Sequence, residues 1–273
     1  MGESFWKSSH CKEWILERAD LCRDRGEDMK VFSEEEYQKI MIFYCNLIHA
    51  IGTDNKLRQQ IIATAMTYFR RFYVRRSLKD VDPILMAATS IFVASKTEEF
   101  MILSTTRISN YINSYLRKYS TKPEFCLRPQ YIHEAEFMLL QIIDCSLHVW
   151  HPYRSLKVLF QDLKEHSNRH IDELHSDVWM LINDSYRTDT VLLFPPFVIA
   201  LACIMTAAMF RKIENDIIPW LIQLNTDFEK VLDCQRVLFT FFRLEKTFKD
   251  KEVFEEVIVR IPKPEATVNN ESN

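Results

Sequence analysis

Three glycines in 273 residues set the first limit on what this chain can become. Gly2, Gly26 and Gly52 lie far apart. Phosphate-cradling loops, dinucleotide fingerprints and nucleophile elbows each need glycines a few residues apart, so none can be written here. Tight hairpins also lean on glycine for positive φ. The expected class is therefore all-α. The apolar fraction of 47% fills either one large core or two ordinary ones. A net charge of −3 is not the footprint of a sequence-independent nucleic-acid binder.

The seven cysteines, at 11, 22, 45, 126, 145, 203 and 234, include no C-x-x-C pair. With no secretory leader in the N-terminal sequence, they read as reduced thiols of a cytosolic or nuclear protein, most of them small core residues. The longest apolar run, Phe197 to Phe210, is too short to span a bilayer and reads as a buried helix.

The most informative stretch is Asp82 to Glu99, DPILMAATSIFVASKTEE. Asp82 is a good N-cap and Pro83 suits the first helical position, where its missing N–H costs nothing. No charge occurs from Ile84 to Ala94, so the helix is apolar or small on every side and belongs inside a core. Ala87, Ala88, Ser90, Ala94 and Ser95 allow close approach of neighbours. The helix then surfaces abruptly with Lys96, Glu98 and Glu99, which read as solvated acids beside a lysine.

Other helices are expected from about Ser8 or Ser9 to Gly26, with Trp14, Ile15, Leu21 and Cys22 on one face. A capping box at Ser33–Glu36 opens the next, which runs to about Ala50 and ends at Gly52. Leu57 to Arg76 carries an apolar stripe, with Arg70, Arg71, Arg75 and Arg76 near its end, where cations suit the helix dipole. Further helices are expected from Ser104 to Tyr119, Gln130 to Asp144, Pro152 to Leu163, Asp172 to Tyr186, Phe197 to Phe210, Asp216 to Leu224 and Asp227 to Phe248. A loop with Pro123 and Pro129 and a polar stretch ending at His170 separate some of them. A Tyr-Arg cluster followed by a proline-opened apolar helix occurs twice, at Tyr68–Arg70 with Pro83 and at Tyr186–Arg187 with Pro196. Two tandem five-helix units, each built round a buried central helix, are expected. The boundaries are residues 1–32 for an N-terminal arm and helix, 33–147 and 148–250 for the units, and 251–273 for a largely disordered tail.

Glu136 sits in the wrong place for a carboxylate. It projects to the edge of the stripe formed by Ile132, Ala135, Leu139, Ile142 and Ile143. Two readings stand: an internal salt bridge with Lys96, or a shared groove in which both residues bind another protein's backbone. His133-Glu134 does not continue to H-E-x-x-H, because residue 137 is Phe. His166 and His170 lack further donors at ligand spacing. No metal, cofactor or catalytic set is expected.

The residues Ala94 to Glu99, A-S-K-T-E-E, resemble the motif that ends the third helix of a cyclin box, and Glu136 in E-F-M-L-L resembles the glutamate of the fifth. F-W-K-S-S-H from Phe5, L-R-Q-Q-I-I-A-T-A from Leu57, H-P-Y-R from His151, N-D-S-Y-R-T-D from Asn183 and P-P-F-V-I-A-L-A-C from Pro195 are similar to the cyclin branch that serves the Mediator-associated kinase. The Met-Arg-Ala-Ile-Leu docking motif of cell-cycle cyclins is absent; the first box helix reads YQKIMIFYCNLI. The resemblance implies two cyclin boxes and a nuclear regulatory subunit, not an enzyme. Such a subunit activates a cyclin-dependent kinase of the Mediator module, in RNA polymerase II transcription, through Lys96 and Glu136. Phe92 and Phe100 are expected to add contact area, and Glu99 to reach an arginine cluster on the kinase in place of a phosphate. Trp6, Trp179, Asn183 and Asp184 are implied as a groove for another Mediator subunit; core packing is the competing reading for Trp179. No direct nucleic-acid or membrane partner is expected. The alternative is a general transcription factor of the TFIIB type, which uses the same fold to grip DNA.

Overall fold

The protein, represented by a computed structural model, is described for residues 4–119, 126–166 and 171–262. After a 3-10 turn at Phe5–Lys7 come α1 (Ser9–Glu13), α2 (Arg18–Asp24) and a second 3-10 turn at Asp28–Lys30. The first unit is α3 (Glu34–Asp54), α4 (Gln59–Arg75), α5 (Pro83–Thr97), α6 (Thr105–Leu116) and α7 (Pro129–Ile142). The second is α8 (Pro152–His166), α9 (Asp172–Ser185), the single turn α10 (Thr190–Leu193), α11 (Pro196–Arg211), α12 (Glu214–Gln223) and α13 (Phe228–Glu245). A last helix, α14 (Asp250–Glu256), and a 3-10 turn at Ile258–Arg260 follow. Among the described residues there is no strand, and the fold is all-α.

Each unit is built round one helix. α5 touches α3, α4, α6 and α7, and α11 touches α8, α9, α12 and α13. Both begin with proline at the first helical position, and the Asp82 side chain accepts from Ile84 N at 2.8 Å. Ala87, Ala88, Ser90 and Ala94 are fully buried, so neighbouring helices approach the α5 backbone closely. Gly52 serves the same end. A Cβ there would meet Ile62 Cγ1 at 2.4 Å and Cδ1 at 2.6 Å. It does not stop the helix, as its sequence position suggested; α3 runs through it to Asp54, because close packing on α4 and not a turn requires the glycine.

The N-terminal arm differs from expectation. Ser8 caps α1 by accepting from Cys11 N at 3.3 Å, but the helix ends at Glu13 and a new one starts at Arg18. The break lets Trp14 turn inward until it is buried, while Cys22 stays exposed. Of the cysteines, Cys45, Cys203 and Cys234 are core residues; Cys11 is half-buried and Cys22, Cys126 and Cys145 are exposed, so most are not core.

The C-terminal segment adds an element beyond the expected helices. Residues 251–260, assigned to the tail after the second unit, form all but the first residue of α14 and the turn after it. Phe254 is buried against Phe43 and Tyr119, with ring centroids 5.9 and 5.5 Å away, and Arg260 pairs with Glu36. The segment thus returns from the second unit onto α3 of the first. Val253, Phe254, Val257 and Ile258 all bury, a spacing of three and four residues too short to stand out beside the polar residues around it. Residues 263–273 lie outside the described residues, as do Pro123 and His170.

Arg70 and Arg71 do not sit in solvent at a helix end. Both are fully buried. Arg70 Nη1 donates to Asp189 Oδ1 at 3.0 Å, and its Nε donates to the Tyr186 carbonyl at 2.9 Å. Arg25 grips the same carboxylate with two bonds of 2.6 and 2.8 Å, and Gln38 donates to it at 2.7 Å. Burial opposes the charge on Asp189, yet the two arginines outweigh it and hold the carboxyl well below its ordinary range. Removing one partner of such a group strands the others without solvent. Asp189→Ala is expected to cost about 3–5 kcal/mol, measured as a lower urea midpoint with an unchanged m-value.

Candidate protein-binding site

Lys96 ends α5 where that helix leaves the core, and Glu136 lies in the second turn of α7 beside it. The lysine Nζ lies 2.6 and 2.8 Å from the two carboxylate oxygens of Glu136. Of the two readings of this pair, the internal salt bridge is present in the free chain. The pair is not sealed: the Lys96 side chain is 37% exposed and that of Glu136 16%. A partner can reach both without unfolding anything.

Phe92 lies one turn before Lys96. Its ring is 4.4 Å below Nζ and meets His133 edge-on at 5.2 Å. It is 3% exposed, so it does not offer contact area as expected. It is a platform that holds the ammonium in place from beneath. Phe100 is 42% exposed and does offer area, with the Arg58 guanidinium 4.4 Å above its ring. The loop carrying it is clipped to α5: Leu103 N donates to Ser95 Oγ at 3.2 Å, Ser95 Oγ donates to Phe92 O at 2.7 Å, and the Leu103 side chain is buried.

Glu98 and Glu99 diverge. Glu98 is not a free surface acid. Its carboxylate accepts from Thr64 Oγ1 and Gln60 Nε2, each at 2.6 Å, tying the end of α5 to α4. Thr64 Oγ1 also lies 2.9 Å from His151 Nε2, and His151 Nδ1 lies 2.6 Å from Tyr186 Oη. With Thr64 donating to Glu98, the imidazole carries its proton on Nε2 and Tyr186 donates to Nδ1. One chain of hydrogen bonds thus runs from the second unit to the α5 terminus. Glu99 is exposed and has φ of 49°, a left-handed conformation in which a non-glycine residue is strained.

Sequence reasoning missed most of the apolar surface round this pair. Met101 and Ile102 in the clipped loop are exposed, as are Tyr131, Phe137 and Met138 on α7. Phe137 projects opposite the buried Ile132, Ala135 and Leu139 and Met138 flanks them, so apolar residues outside the buried stripe were the available signal.

The four residues implied for a second groove do not share one cleft. Trp6 is 60% exposed, packs on Phe197 at 5.9 Å and lines a groove of about 460 Å³ with Phe5, Trp150, Arg154 and Val158. Trp179, Asn183 and Asp184 do not line it. Trp179 lies on Tyr153 at 4.5 Å and is 38% exposed, so it is neither plain core nor part of the Trp6 groove. Asn183 Oδ1 accepts from Tyr153 Oη at 2.7 Å, and Asp184 accepts from Arg187 at 2.6 Å. The two sets meet different faces of α8, because Tyr153 projects about 100° from Arg154 round the helix. Among the described residues, no group of three or more His, Cys, Asp or Glu is placed to hold a metal, and no helix is long and apolar enough to cross a membrane.

Comparison with known proteins decides the family. Residues 17–148 match the cyclin N-terminal domain and residues 151–223 the cyclin C-terminal domain. Cyclin-C of Drosophila melanogaster is 42% identical over 267 residues, covering 97% of this chain and 98% of that one. Cyclin-C of Rattus norvegicus is 42% identical over 274 residues, covering 99% and 94%. The chain belongs to the cyclin C family. Cyclins are regulatory subunits of kinase complexes and not catalysts. The cyclin fold recurs in a chain of the Chaetomium thermophilum CAK complex, with a TM-score of 0.74 at 20% identity over 94% of this chain and 87% of that one. It recurs again in the yeast TFIIK complex, with a TM-score of 0.68 at 22% identity, covering 86% and 100%.

Burial gives this cyclin an acid-sensitive junction. His151 is lowered to about 3 and His10 to about 2, in both cases by burial first and by the Arg71 charge second. The unfolded chain protonates both below about pH 6.5, and the folded chain does not, so their contribution is full above that pH and is lost as pH falls. Asp184, raised to about 6 by burial, works the other way between about pH 6 and 4. Two histidines against one carboxylate leave these three groups with a loss of about 1.4 kcal/mol per pH unit over that window, seen as a falling urea midpoint. His151→Gln should flatten the slope.

Proposed function

We propose that this chain binds and activates a transcription-associated cyclin-dependent kinase, within a Mediator kinase module in the nucleus. The observation that carries the reading is the Lys96–Glu136 pair, open to solvent, with exposed Phe100, Met101 and Ile102 in the loop after α5 and exposed Phe137 and Met138 next to Glu136 on α7. An ion pair gains little from being half-exposed; a donor and an acceptor side by side on an apolar field suit the ends of a partner's helix or loop. Lys96 donates to kinase backbone carbonyls and Glu136 accepts from backbone N–H groups, with the surrounding side chains supplying area. Holding the kinase's αC helix in this way lets its own Lys–Glu pair form. Glu99, strained and exposed, is the acid that reaches the kinase's arginine cluster in place of a phosphate. Likeness to Cyclin-C from fly, rat and Caenorhabditis elegans supports the choice of partner. Trp6 on one face of α8, and Trp179 with Asn183 and Asp184 on the other, are the surfaces we assign to a further Mediator subunit.

The paired geometry shapes the test. A Lys96→Glu/Glu136→Lys exchange keeps an internal ion pair, so the helical circular dichroism should be unchanged and the melting midpoint nearly so. The polarity presented to the kinase is reversed, and kinase pull-down should fall at least tenfold. Retained pull-down would reduce the pair to an internal bridge. Glu99→Gly separates strain from charge: it should raise stability by about 1 kcal/mol in urea melts while lowering the activity of the unphosphorylated kinase complex.

A further inference from the structure

We infer that the cleft between α2, α3 and α13 is a binding site for an acidic peptide segment of a partner protein, held by Arg18 and Arg243. α3 and α13 meet through a small apolar cluster, Ile42, Phe241 and Leu244, separate from the main core. Beside it the elements diverge and leave about 480 Å³ open between the two cyclin boxes. That volume suits a few residues of peptide and not a whole helix.

The charges in the cleft are unevenly committed. Its acids all have partners: Asp189 is held by Arg25, Arg70 and Gln38, Glu34 accepts from Gln38 at 2.9 Å, and Glu35 pairs with Lys39 at 2.6 Å. Among its cations, Arg25 is spent on Asp189, and Arg187 on Asp184 and Asn46. Arg18 and Arg243 are different. Both line the cleft, one from α2 and one from α13; Arg243 acts on Glu35 through its charge, but neither arginine has a hydrogen bond or an ion pair among the described residues. Arg25 Nε is also buried without an acceptor. The cleft therefore offers two uncommitted guanidinium groups above an apolar floor of Leu21, Val237 and Phe241.

That combination selects a segment with an apolar side chain for the floor and a carboxylate or phosphate beside it. Guanidinium forks hold either group through paired N–H donors. The site shares no residue with the Lys96–Glu136 surface, so one chain can engage a kinase and a peptide at once. A partner or substrate carrying such a segment would be held to the cyclin while the kinase acts.

The test uses the full chain and a fluorescein-labelled peptide of two leucines flanked by four glutamates between Gly-Ser spacers. Companion peptides carry phosphoserine or glutamine in place of the glutamates. Fluorescence anisotropy should show saturable binding of the acidic peptide, at least tenfold tighter than the glutamine version. The phosphoserine arm tells which anion the arginines prefer. Arg18→Gln/Arg243→Gln should weaken binding about tenfold, and Thr240→Trp, which fills the cleft from an exposed position, should do the same. Both variants should leave circular dichroism unchanged. Equal affinity for acidic and neutral peptides, no binding, or unchanged affinity in the double variant would overturn the inference. So would at least tenfold tighter binding after deletion of residues 263–273, which would assign the cleft to the chain's own tail.

Discussion

The carboxylate of Asp189, buried between Arg25 and Arg70, is the interaction on which the rest of this structure depends. It lies in the turn between α9 and α10 of the second box. Arg70 belongs to α4 of the first box, and Arg25 caps the N-terminal helix α2. One buried anion therefore joins three parts of the chain that are remote in sequence. The desolvation of these charges is large, and their mutual attraction does little more than offset it. What the cluster adds is definition. Hydrophobic surfaces of two similar helical units can slide over one another, but a bidentate guanidinium pair has a single geometry. Gln38 and the Tyr186 carbonyl complete the set, so α3 is held in the same register.

From that fixed frame the proposed binding surface follows. α5 is packed on every side, which makes Lys96 the end of a rigid rod and not a side chain on a loop. Phe92 supports the lysine from beneath, Glu98 ties the rod's end to α4, and Ser95 fastens the loop that displays Phe100, Met101 and Ile102. The His151 relay carries the position of the second box to the same place. Each link is short and directional, so the apolar residues that face solvent are held there by polar bonds behind them. A surface built in this way loses little conformational freedom when a partner arrives.

Much of this was legible in the residues. The scarcity of glycine excluded sheets and phosphate loops. Proline after a capping position, then an uncharged run, marked the central helix of each box, and Glu136 stood out because a carboxylate at the edge of an apolar stripe needs a partner. Other features were not legible. Arg70 and Arg71 carry the pattern of solvated cations near a helix end, and only Asp189, 119 residues away, shows that one of them is a core residue. Phe92 looked like contact area, because nothing local says whether an aromatic beside a surface lysine faces out or lies beneath it. The C-terminal helix buries only a short apolar set, too little for periodicity to register against its charged neighbours.

The sequence by itself determined most of the helices of the two boxes, which of them are central, and that one lysine and one glutamate stand where ordinary packing would not put them. These are matters of propensity, capping and period, carried by residues within a few positions of one another. The tertiary structure alone decided that Lys96 and Glu136 hold each other, that Glu98 is spent on α4 while Glu99 is exposed, and that Trp6 and Trp179 meet different faces of α8. It also decided that Arg18 and Arg243 line one cleft between the boxes with no hydrogen bond or ion pair among the described residues. Partnership is settled by distance in space, and the chain brings together residues whose separation along it gives no warning that they will meet.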